Sequence, residues 1–142
     1  MIAPTGLWSP ELRPGTPSSA TAAAAWELAL DLFFESWRIS DRWMPPMALS
    51  FRRRALGLSR LIGVAALSHN PAVVEVHLSS ARRSLAELDG ELDQARRALG
   101  LDAGKLAPWI DWSTRLAGQL SNWRLELLGQ RLFIRDSKQV IF

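Results

Sequence analysis

The chain has 142 residues, room for one domain with one hydrophobic core. Hydrophobic residues make up 48% and charged residues 22%, the balance of a folded globular chain rather than a disordered one. A formal charge of +3 is a moderate basic bias, and the lack of cysteine excludes disulfides, thiolate nucleophiles and cysteine-based metal sites. Every one of the 17 basic residues except Lys105 and Lys138 is arginine, which follows either from bidentate phosphate contacts or from a GC-rich genome. No basic stretch followed by an apolar one opens the chain, so no secretory signal is expected. The apolar stretch "AAAAWELALDLFF" is broken by Glu27 and Asp31, and "LIGVAAL" is far shorter than the ~20 residues a membrane span needs. A cytoplasmic protein without a membrane partner is expected.

Residues 1–19 hold four of the eight prolines and read as a flexible leader, with Leu7 and Trp8 available to dock on the body. A first helix is expected from Ser19–Thr21, either of which can cap it, to about Trp43. Trp26, Leu30, Phe33 and Trp37 recur in it at the spacing of one buried face. Pro45 and Pro46 close that helix and open the next, whose apolar stripe is Phe51, Ala55, Leu58, Ile62 and Ala65. In the third helix Asn70 caps and Pro71 takes the first position. Val74, Leu78, Ala81, Leu85, Leu88, Leu92, Ala95 and Leu99 form its seam, and Gly100 ends it. The fourth runs to about Leu132 with the seam Leu106, Trp109, Ser113, Leu116, Leu120, Trp123 and Leu127. The expected fold is all-α: an up-down-up-down four-helix bundle over 20–132, with a Pro-rich leader (1–19) and a short C-terminal tail (133–142).

Chemistry-bearing patterns are sparse. His69 and His77 have no acidic or histidine partner at helical metal-site spacing, so no metal and no cofactor is expected. Glu87, Asp89, Glu91 and Asp93 cluster on the third helix, but Arg83 precedes Glu87 by four residues and Asp93 precedes Arg97 by four, which predicts ion pairs on a wet face. Without a phosphate loop, nucleophile elbow or triad spacing, the chain does not read as an enzyme. Trp43 and Trp112 fall off the seams and suit either a base-stacking platform or, preferably, a subunit interface. Leu49, Leu56, Trp112, Leu125 and Leu128 are off-seam apolar residues that a monomer would expose, and they are the candidate oligomer interface.

Charge is unevenly spread. Residues 1–51 carry three basic and five acidic groups, whereas residues 52–83 carry six basic groups against Glu75 alone. Arg53 and Arg60 are seven apart and share a helix face, and an antiparallel hairpin of helices two and three brings Arg60 towards Arg82 and Arg83. Arg52, Arg53, Arg54, Arg60, Arg82 and Arg83 are therefore the candidate nucleic-acid-binding stripe.

The segment "ARRSLAELDGELDQARRALGL" (81–101) resembles the third-helix motif of the four-helix-bundle family encoded in ribosomal-RNA intervening sequences. That family includes the accessory variability determinants of diversity-generating retroelements. Ala81, Ser84, Leu85, Glu87, Leu88, Leu92, Ala95, Leu99, Gly100 and Leu101 match the motif. "RWMPPMALSFRRRALGLSRL" is similar to the family's aromatic–proline joint and basic second helix, and the resemblance spans about residues 24–132. Where the intervening-sequence branch carries an Asn-Ile-Ala-Glu-Gly-like segment, this chain reads "LSHNPAVV", which leans towards the retroelement branch. The resemblance implies a non-enzymatic, basic, ring-forming accessory protein, preferably a pentamer, that binds a reverse transcriptase and RNA or cDNA. The alternative is a bundle that serves protein–protein interaction alone.

Overall fold

A computed structural model describes residues 17–141, with side chains from 17 to 130; most of the expected leader, including Leu7 and Trp8, lies outside the described residues. Four helices follow one another: α1 (Ala20–Ile39), α2 (Pro45–Leu67), α3 (Pro71–Leu99) and α4 (Ala103–Ile141). Each packs on its neighbours in sequence, and α4 returns to α1, while the Phe51 and Trp109 rings meet across the centre between α2 and α4. The result is an up-down-up-down four-helix bundle, with no strand among the described residues.

Local chemistry sets the helix ends. Ser19 accepts the Ala22 N–H at 3.0 Å and starts α1. Pro45 occupies the first position of α2, where its fixed φ suits the helix and its missing N–H costs nothing. Asn70 accepts the Ala72 N–H at 3.0 Å to open α3. Gly100 closes α3 at φ 62°, a left-handed conformation that a side chain would strain. The Asp102 carboxylate accepts the Gly104 N–H at 3.2 Å where α4 begins.

The expected seam residues of α2 and α4 are buried, as are those of α3 from Val74 to Ala95, while Leu99 is partly exposed at its end. The first helix is different. Its buried row is Ala22, Ala25, Ala29, Leu32 and Ser36, not Trp26, Leu30, Phe33 and Trp37. Small side chains let α1 approach its neighbours closely, and the bulky residues are pushed to its flanks. Trp26 packs over Gly63 of α2, where an added Cβ would lie 3.0 Å from the indole. Phe33 is partly buried, while Leu30 and Trp37 are exposed.

Two boundaries also differ. α1 ends at Ile39 rather than near Trp43, and the loop that follows tucks Trp43 inward. Its ring centroid lies 5.1 Å from that of Phe51, which is 5.0 Å from that of Trp109, so the expected interface tryptophan belongs to the core of its own chain. α4 continues to Ile141 instead of stopping near Leu132, so the segment expected as a tail is helical backbone.

Polar ties hold the helices in register. At one end the Thr21 hydroxyl donates to Glu126. At the other, Arg38 donates to Glu35 and, at 2.9 Å, to the Lys105 carbonyl. Between α3 and α4, Asp89 accepts from the Trp109 indole N–H at 2.8 Å and from the Ser113 hydroxyl at 2.9 Å.

Candidate functional site

Successive residues of an α-helix point about 100° apart, so Arg52, Arg53 and Arg54 face three directions. Arg52 turns to α1, where its guanidinium lies 4.0 Å from the centroid of the Trp37 ring and its Nε donates to Ser40 Oγ at 2.8 Å. Arg54 turns to α3, with Nε 3.3 Å from Glu91 and Nη1 3.9 Å from Glu87. Arg53, between them, is exposed and makes no hydrogen bond or ion pair among the described residues.

The Arg54 ion pairs also set the level of α2 against α3. Six residues on along α2 and six back along α3, Arg60 stands level with the turn that carries Arg82 and Arg83. Those two arginines nevertheless point apart. Arg83 is one turn before Glu87, in the row that meets α2, whereas Arg82 is two turns before Asp89, in the row that meets α4. The expected Arg83–Glu87 pair does not form, because Glu87 is drawn across to Arg54; the Asp93–Arg97 pair does, at 3.1 Å. Six arginines therefore do not make one stripe. Arg52 and Arg54 are engaged by other helices of the same chain, and Arg53, Arg60, Arg82 and Arg83 are exposed and unpaired among the described residues.

Of the candidate interface residues, Leu49, Leu125 and Leu128 are exposed. Leu56 is partly buried, and Trp112 packs against its own chain's core with the Arg115 guanidinium 5.3 Å from its ring. Several large apolar side chains that the sequence reading did not single out are also exposed: Phe34 (66%), Met44, Val64, Val76 and Ile110. Their distance from the buried rows was the available signal, and it was masked in α1 by the choice of the wrong row.

His77 Nδ1 donates to the Val73 carbonyl at 2.8 Å, as a histidine satisfied within its own helix does. No group of three or more His, Asp or Glu side chains among the described residues is placed to hold a metal ion, and no helix there is long and apolar enough to cross a membrane. Comparison with family models, with curated proteins and with solved structures returned no match to this chain.

Proposed function

We propose that the protein is a non-catalytic helical scaffold that assembles into an oligomer, preferably a pentameric ring. In this reading it binds a reverse transcriptase together with RNA or cDNA, in the manner of the accessory variability determinants of diversity-generating retroelements. The observation that carries the reading is the outer surface of the bundle, where unpaired arginines stand among large exposed apolar side chains. Apolar side chains in such number support burial against another chain. Unpaired guanidinium groups support phosphate contacts, for which their forked donors are suited. The resemblance of residues 24–132 to that family supplies the partner classes.

A second reading, an interaction module of the intervening-sequence type without a nucleic-acid role, is favoured by Arg52 and Arg54, which are spent on contacts within the bundle. Fluorescence anisotropy with single-stranded RNA and DNA across a salt series separates the two. Log affinity is expected to fall linearly with log salt, and Arg82→Gln with Arg83→Gln is expected to make that slope shallower by about 1.4 to 1.8 if each arginine neutralises one phosphate. Weak, salt-insensitive binding that the double variant leaves unchanged would remove the nucleic-acid role and leave the interaction module.

A further inference from the structure

Almost every carboxylate among the described residues has a hydrogen-bond or ion-pair partner. The exceptions are Glu27, Asp31 and Asp41, and the first two lie one turn apart on α1. They line an open groove of about 580 Å³ between α1 and α4, whose wall and floor include Ala24, Leu28, Trp112 and Gly118. A Cβ on Gly118 would meet nothing within 4 Å, so its own bundle does not require a glycine there. A glycine inside a helix is less favourable than alanine. Arg115, the cation in the same groove, is already held by Asp111 at 3.2 Å and by the Trp112 ring.

The opposite charge stands unpartnered on another face. The outer row of α2 carries Leu49, Arg53, Leu56, Arg60, Val64 and Leu67, at the spacing of one helix face. Leu49, Val64 and Leu67 are exposed, and both arginines are free. This row would not pair well with its own copy, because a two-fold contact sets Arg53 and Arg60 against like charges. It does complement the α1–α4 groove, which offers two free carboxylates, apolar Leu28 and Trp112, and small residues where a helix can come close.

We infer that the outer face of α2 docks into the α1–α4 groove of a second copy of the chain, pairing Arg53 and Arg60 with Glu27 and Asp31 of that copy. This rests on the oligomeric reading above and specifies it. The contact joins two different surfaces, so it is heterologous, and repetition generates a ring where the rotation closes. Arg53 and Arg60 then serve assembly, and Arg82 and Arg83 are left to meet phosphate.

Charge reversal tests the pairing. One variant carries Arg53→Glu and Arg60→Glu, the other Glu27→Arg and Asp31→Arg; all four positions lie outside the buried core. Light scattering of each variant alone should show the mass falling to the 15.8 kDa of a single chain, with far-UV circular dichroism still helical. Mixed in equal amounts, the two variants should reassociate, since an acidic α2 then meets a basic groove and a basic α2 meets an acidic one. If the wild type assembles and either variant alone keeps the wild-type mass, this interface is wrong while the oligomeric reading stands. A mixture of two helical variants that stays monomeric would overturn it equally, as would lost RNA binding with unchanged mass in the α2 variant. A monomeric wild type would instead overturn the oligomeric reading itself.

Discussion

Asp89 shows how a single side chain does work that its position in an acidic cluster conceals. It sits on the surface of α3, yet the donors it accepts, Trp109 Nε1 and Ser113 Oγ, belong to residues buried in α4. Asp89→Ala leaves both donors without their acceptor, and a loss of about 1–3 kcal/mol is expected in urea unfolding. Asp93→Ala, which removes only exposed ion pairs, should cost less than about 1 kcal/mol in the same assay. Glycines give a second contrast. A Cβ at Gly90 meets nothing within 4 Å, so Gly90→Ala should stabilise by roughly 0.8–1 kcal/mol through helix propensity. At Gly63 the same atom lies 3.0 Å from the Trp26 indole, which is partly buried on the core. Overpacking of about 1–3 kcal/mol then outweighs the propensity gain, and Gly63→Ala should lower the unfolding midpoint. The arginine run was legible as charge but not as contacts. Its partners lie on α1 and α3, far away in sequence, and no local spacing rule reports them.

For the helices, legibility depended on contrast. In α3 most large apolar residues are separated by charged or small polar ones, and the row they mark is the one the bundle buries; the longest evenly spaced apolar rows of α2 and α4 are buried as well, beside other apolar residues left outside. α1 lacks this contrast. "AAAAWELALDLFF" is apolar on most of its circumference, and two rows share the same spacing; size favoured the tryptophans, whereas close packing selects the alanines. The register of α1 is open to measurement. Leu32→Ala should cost about 2–5 kcal/mol, as expected for a fully buried leucine. Phe34→Ala removes a larger side chain that is 66% exposed and should change monomer stability by no more than about 0.5 kcal/mol. Equal losses at the two positions would place Phe34 in the core and contradict this register of α1. The length of α4 escaped the sequence for a different reason: apolar periodicity fades after Leu127, but an established helix propagates through its backbone hydrogen bonds and needs no seam to continue.

Across the whole molecule, the bundle spends its small residues and leucines on its interior and leaves an outer surface with much apolar area. Leu125 is 65% exposed on α4 near one end of the bundle, and Met44 is exposed in the loop at the other end. The sequence made the bundle legible because periodicity reports which residues turn inward. It reported the outer faces only as what remained, so Leu49, Leu125 and Leu128 were found while Phe34, Val76 and Ile110 were not. Assembly is therefore the claim on which the proposed function, the division of roles among the arginines and the α2-to-groove contact all depend. The direct test is the mass of the wild-type protein by multi-angle light scattering at micromolar concentration. A single species several times 15.8 kDa is predicted, with five chains preferred; a clean 15.8 kDa monomer would contradict it.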